Sequence, residues 1–313
     1  DENQTSASRS FSITVQNDNP SNHFNTVLYT GNGNNQTITN VGFNSDFTWT
    51  KSRTETTENW LFDTMRGSGN YISSNTTGAN ISVWSNYGVH FDTTNGFTVK
   101  DDSNGGYYMN KPSATYVTWN WKAGGTPSIN TDGTLTSIVS ANEAAGFSVV
   151  KYTGIVNGNA KSFGHGLNNI PDMVIVKDID WSVPSWFVWH KDLTGNDYYL
   201  RLESTNAEAQ ASGIFASTPT STVVNIGNDS GIGNRTDNYI AYCFTSISGY
   251  SKVGSYQGST NNVSVTTGFQ PTFILVKNTT LNGTNWTLWD NKRGGTYFLQ
   301  PNNNGSEGSG RTV

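Results

Sequence analysis

The stretch FNTVLYTGNGNNQTITNVGFNSDFTWTK (24–51) returns twice in divergent form, as FSVVKYTGIVNGNAKSFGHGLNNIPDMVIVK (147–177) and KVGSYQGSTNNVSVTTGFQPTFILVK (252–277). Each copy has an apolar strand ending in tyrosine, a glycine turn, a polar strand and a Gly-apolar pair. A second apolar strand then closes on Lys51, Lys177 or Lys277. The likeness continues through NWLFDTMRG, SWFVWHKDLTG and NWTLWDNKRGG, which align Trp60, Trp186 and Trp286, and into strands opened by Tyr71, Tyr198 and Tyr297. Two copies end on a closing strand, YVTWNW (116–121) and YIAYCF (239–244), and the interval Tyr29–Tyr116 equals Tyr152–Tyr239. An interval kept by divergent copies marks one structural unit used repeatedly.

Composition agrees. Of 313 residues only 13% are charged, the net charge is −5, and Asn, Ser, Thr and Gly dominate while aromatics reach 12%. That mixture disfavours helices and favours strands joined by polar turns, with enough aromatic surface to build a core. It carries no basic footprint for nucleic acid or an anionic membrane, and no apolar run long enough for a spanning helix. One cysteine, Cys243, excludes an internal disulfide framework and a cysteine-based zinc site. It alternates onto the strand face opposite Ile240, Tyr242 and Phe244, equivalent to Asn120, so a core position is not required of it.

The expected fold is all-β: tandem jelly-roll-like β-sandwich repeats, the third incomplete, with an N-terminal extension strand. The boundaries are an N-terminal strand segment (1–22), a first sandwich (23–121), a linker (122–146), a second sandwich (147–246) and an incomplete third (250–313). The linker has Gly, Pro and Asn-Thr-Asp-Gly turns, which predict an exposed connector with a short hairpin near Gly133–Val139.

The third copy stops before any counterpart of YVTWNW, which leaves an apolar groove and an open row of backbone donors and acceptors. RSFSITVQN (9–17) sets Phe11, Ile13 and Val15 on one face at the every-second spacing of the missing strand. Two readings lead: this donor strand fills the open third copy of a neighbouring subunit head to tail, or it ends an upstream immunoglobulin-like domain. Self-complementation within one chain is the third.

The pattern YTGNG…VGF…DF…LFD…RG, with YVTWNWKAGG…NTDGT…VSAN…AGFSVVKYTG, resembles the repeated β-rich domains of tail-fibre and other virion-surface proteins of aquatic bacteriophages. Related uncharacterised bacterial surface proteins carry similar segments. The resemblance covers about residues 23–300 and implies a surface or fibre role; it brings no catalytic residues with it.

Little in the chain points to chemistry. His23, His90, His165 and His190 lack metal-ligand spacing, and His165 stands in the Gly-apolar turn as a structural residue. Asp46, Asp63, Asp172 and Asp290 offer a glycosidase acid pair only across separate units. NTDGT (130–134) and DDSNGG (101–106) fall short of a calcium-loop ligand pattern. No metal, no cofactor and no catalytic residue is therefore expected. Trp60, Trp186 and Trp286 recur at one place and Trp189 and Trp289 at another, as a shared core would; the unmatched Trp84 and Trp181 are the candidates for ligand contact. The functional expectation is a non-enzymatic subunit of an extracellular fibre whose partners are identical subunits, with no nucleic acid and no membrane. A phage tail-fibre or surface adhesin, binding a host receptor or cell-surface glycans, is the alternative.

Overall fold

A computed structural model describes residues 19–82, 87–100 and 109–311. The expected donor strand with Phe11, Ile13 and Val15 lies outside the described residues, as do Trp84 and the DDSNGG loop. Every regular element described is a strand, apart from one 3-10 turn at Pro20–Asn22.

The first unit contributes β1 (Phe24–Thr30), β2 (Gln36–Ile38), β3 (Phe47–Ser52), β4 (Trp60–Asp63) and β5 (Asn70–Ser73). It continues through β6 (Ile81–Ser82), β7 (Gly88–His90), β8 (Phe97–Lys100) and β9 (Thr115–Trp121). Next come β10 (Ser128–Asn130), β11 (Ser137–Asn142), β12 (Phe147–Thr153), β13 (Lys161–Gly164) and β14 (Met173–Asp178). The second unit is completed by β15 (Phe187–His190), β16 (Tyr198–Arg201), β17 (Ala209–Gln210), β18 (Val223–Ile226) and β19 (Asn238–Phe244). The third holds β20 (Phe273–Val276), β21 (Thr287–Asp290), β22 (Tyr297–Phe298) and β23 (Gly308–Ser309).

Strand order is the same in the first two main sheets, β1-β9-β3-β4-β5-β6 and β12-β19-β14-β15-β16-β17. The registers match as well. Tyr29 faces Tyr116 as Tyr152 faces Tyr239, and Lys51 faces Val117 as Lys177 faces Ile240. The paired tyrosine rings stack at 4.9 and 5.0 Å, an arrangement that adds to simple burial. A small sheet, β2-β8-β7 or β13-β18, closes each unit into a sandwich over its own apolar cluster. The recurrent Gly-apolar pair is explained by backbone conformation: Gly42, Gly166 and Gly268 have φ of 96°, 69° and 88°, a region that side chains with a Cβ avoid.

The other faces of the main sheets do not meet water. Trp49, Leu61, Val117 and Trp119 of the first unit pack in one cluster with Val149, Ile175, Val188 and Tyr242 of the second and Trp286, Leu288 and Leu299 of the third. The expectation of sandwiches strung on an exposed connector is thereby corrected. Residues 122–146 supply β10 and β11, which pair with each other and then with β12, extending the second sheet to eight strands. Leu135 and Val139 anchor that extension in the second unit's own cluster. Cys243 is also a core residue, fully buried among Val150, Val174 and Ala241.

Register corrects the tryptophan alignment by one position. Thr50 faces Trp60, whereas Val176 faces Phe187 and Val276 faces Thr287. Trp60 therefore points into the first unit's outer cluster, and Asn59 occupies the place of Trp186 and Trp286. At that shared place each unit donates a side-chain N–H to the backbone of another. Trp186 Nε1 bonds the Ser73 and Thr76 carbonyls at 3.1 and 3.0 Å, Trp286 Nε1 the Arg201 carbonyl at 2.9 Å, and Asn59 Nδ2 the Asn303 carbonyl at 2.7 Å. Second leans on first, third on second, first on third. The units form a closed ring.

Of the three matching lysines, Lys51 and Lys177 are fully buried and Lys277 is half-buried. Lys51 Nζ donates to the Thr57 carbonyl at 2.7 Å and the Asn304 carbonyl at 3.1 Å, and Lys177 Nζ to the Asp178 carbonyl at 2.7 Å. Lys277 Nζ holds the Thr284 carbonyl at 2.7 Å. Burial pushes Lys51 and Lys177 down to about 8.

Two predictions follow from this packing. Leu61→Ala and Leu200→Ala, one in each of two units but both in the shared cluster, should each lower the same calorimetric transition by about 2–5 kcal/mol. Two separated transitions, only one of which responds to each change, would contradict the shared core. Between pH 8 and 10 the unfolded chain keeps protons on Lys51 and Lys177 that the folded chain has released, so stability should rise with pH. The rise is bounded at about 1.4 kcal/mol per pH unit per lysine, and Lys51→Met should remove one share of it in urea titrations.

Candidate assembly site

The third unit is built only in part. β20 pairs with β21, and β22 with β23, but among the described residues no strand pairs with the other edge of β20. That edge corresponds to the one β9 takes on β3 and β19 takes on β14. The consequence shows in burial: all six residues of β3 are buried, while all four of β20 are half-buried. The segment aligned with β12 and β13 forms no strand, and its Tyr256, Val263 and Val265 are exposed. Tyr256 is 52% exposed, against 8% for Tyr29 and 2% for Tyr152. A strand needs a partner to be stable, and among the described residues no strand lies between this segment and β20.

A second feature marks the same place. In the ring, the central aromatic of a closing strand donates to an aspartate of the unit before it. Tyr242 Oη donates to Asp63 Oδ2 at 2.7 Å, and Trp119 Nε1 to Asp290 Oδ2 at 3.0 Å. Each aspartate is paired with the arginine three residues on, Arg66 at 2.7 Å and Arg293 at 2.6 Å, with the side chains almost wholly buried. Burial, and then the Asp63 carboxylate, push the Tyr242 hydroxyl well above its ordinary value, so it remains a donor. The third corner is different. By register His190 stands where Asp63 and Asp290 stand, and Leu193 takes the place of the arginine. Leu193 belongs to the shared apolar cluster. Burial pushes the His190 imidazole below its ordinary value, so it is uncharged at neutral pH. This is the corner that the third unit's closing strand would face. At the corner beside the edge of β20 that no described strand pairs, the acceptor acid and its arginine are replaced.

The remaining candidates are accounted for by their partners. Trp181 is half-buried, with the Arg235 guanidinium 4.2 Å over its ring. Asp46 accepts from the Ala123 amide at 2.8 Å, and Asp172 accepts from the Ser246 amide at 2.7 Å and pairs with Lys191 at 3.4 Å. With Asp63 and Asp290 in ion pairs, the four carboxylates are all held in structural contacts. His165 is fully buried, with Nε2 on the Thr220 carbonyl at 3.1 Å and Nδ1 accepting from the Leu167 amide at 3.2 Å. In NTDGT, Asn130 and Asp132 bond each other as an Asx turn. Burial raises the Cys243 thiol to about 12, which leaves it unreactive. A cavity of about 250 Å³ lies beside the open unit, lined in part by Lys191, Lys252 and Thr267. Sequence reasoning missed the corner; the signal was His190 and Leu193 departing together from an Asp-x-x-Arg spacing that the other two copies keep.

Residues 19–312 match the domain of unknown function DUF7483, and the chain belongs to that family. The match takes in all three units as one domain and starts after the expected donor strand. No curated protein and no solved structure matches the chain.

The broken corner sets a measurable asymmetry. Asp63→Ala strands the buried Arg66 guanidinium and should cost about 3–5 kcal/mol in urea unfolding. His190→Ala breaks no ion pair and should cost less than about 1 kcal/mol; equal losses at the two positions would refute the assignment.

Proposed function

For a DUF7483 domain in which, among the described residues, no strand pairs with one edge of β20, we propose a role as a non-enzymatic structural subunit of an extracellular fibre, joined head to tail by β-strand addition. The observation that carries this reading is the edge of β20 that no described strand pairs, beside an exposed segment that is a strand in the other two units. A long apolar-flanked edge is a template for pairing with another chain. A contact between a strand at one end and a groove at the other does not close on itself, and so it propagates a filament. Phe11, Ile13 and Val15 are the donor side chains; burying each is worth roughly 1.5–3 kcal/mol, before the ordering costs of association. The carboxylates held in structural contacts fit a protein whose work is mechanical. Low charge and polar loops suit a surface exposed outside the cell.

The test is electron microscopy of the purified chain beside a variant lacking residues 1–18. The full chain should form uniform filaments and the shortened one should stay as single particles. Filaments from the shortened variant would exclude the donor strand. Single particles or closed trimers from the full chain would favour the adhesin, with a glycan array as the next measurement and Trp181 as the residue to replace.

A further inference from the structure

We propose that residues 9–17 are the closing strand of the third unit, lying between β20 and the segment 251–256, antiparallel to β20, with Ile13 opposite Leu275. This names the occupant and register of the site and rests on the strand-addition reading above.

The path of the chain is the first argument. β9 ends with Trp121 facing Phe47, and Phe147, which opens β12, packs its ring 5.9 Å from that same Phe47. A closing strand and the opening strand of the next unit thus meet over one side chain. In the third unit Phe273 holds the place of Phe47, facing Asp290 as Phe47 faces Asp63. The ring 5.4 Å from Phe273 is Phe24, the first residue of β1. The chain that enters β1 therefore arrives where a closing strand ends, and residues 9–17 lie upstream of that entry, separated from Phe24 by 18–23 with the turn Pro20–Asn22. The connection also fits. From Phe244, the end of β19, to Ser251, where the third unit opens, is seven positions; from Val15 to Phe24 is nine.

The chemistry of the corner is the second argument. Ile13 in this register takes the place of Trp119 and Tyr242, which face Trp49 and Ile175 as Ile13 would face Leu275. Both aromatics present a donor to an aspartate–arginine pair. Ile13 has none to present, and the corner awaiting it holds His190 and the apolar Leu193. The loss of the donor and the loss of the acceptor pair belong together. A strand carrying Trp or Tyr there would leave a buried N–H or O–H without its partner.

Because β1 starts beside its own third unit, the same strand reaches its own site or that of a neighbour, with 16–23 as the hinge. The closed chain and the fibre then exchange one identical element, which is domain swapping, and concentration selects between them.

The experiment is a disulfide trap. Ile13→Cys with Leu275→Cys, in the full chain under mild oxidation, should cross-link; Ile13→Cys with Phe273→Cys, one residue pair out of register, should not. Cys243, wholly buried, stays out of the exchange. On a non-reducing gel, a ladder of covalent oligomers supports both the occupant and the fibre. A cross-linked monomer alone supports the occupant and overturns the fibre. No cross-link, or equal cross-linking of both pairs, overturns the occupant or its register, and filaments formed without a cross-link would leave the fibre with a different strand. Hydrogen exchange on the unmodified chain guards against a variant that fails to fold. Amides of 251–256 should be protected in the full chain and lose at least tenfold in protection when residues 1–18 are removed; no change would equally overturn the inference.

Discussion

The structure depends on one constraint: the main sheets of the first two units are apolar on both faces, and a small sheet covers only one face of each. The uncovered faces must bury against something, and they bury against one another and against the third unit. Every cross-unit contact then follows as local adjustment. Trp186, Trp286 and Asn59 aim their N–H groups at neighbouring carbonyls because the collapse has taken those carbonyls out of water, where an unmade bond is costly. The Asp63–Arg66 and Asp290–Arg293 pairs serve the same end. Buried ion pairs contribute little net stability, but these present one defined acceptor to Tyr242 and Trp119 and so fix how the units rotate against each other.

Much of this was legible in the sequence, and what was not has a physical reason. The strands, their turns and their repetition were readable because side-chain alternation and glycine conformations are local. Convergence on a shared core is not local. Its signal was present in YIAYCF and MVIVK, runs with hardly a polar break, which imply burial on both faces. Reading the closing strand as one apolar face and one indifferent face required no core position of Cys243 and left the units as separate sandwiches. The connector misled for a related reason. Its glycines and Pro127 suggested exposed turns, but Gly124 and Gly133 allow close approach to the backbone of Ala141 and Ser162, and Leu135 and Val139 provide the anchors.

The alignment error at Trp60 shows where likeness between copies misleads. NW and SW look equivalent, yet the strand begins at Trp60 in one unit and one residue after the tryptophan in the others. A one-residue offset moves a side chain from one face of a sheet to the other, here from the outer cluster to the shared core. Asn59 then supplies by its amide the N–H that an indole supplies elsewhere. The contact has been kept while the residue type changed, and only the register reveals it.

The third unit differs in the kind of incompleteness it has. The inner faces of β20 and β21 are held by their neighbours in the ring; Phe273 packs against Phe24, Trp119 and Trp121. The difference lies in the outer half, where among the described residues 252–266 has no strand to lie against. The domain can therefore keep its core folded while one edge stays available, which separates folding from completion of the edge. An edge of that kind on a chain with few charges is a hazard unless something is shaped to cover it. The paired replacement of acid and arginine by His190 and Leu193 argues that this edge is shaped: a corner merely left behind by a deleted strand would have no reason to trade a buried ion pair for an apolar contact.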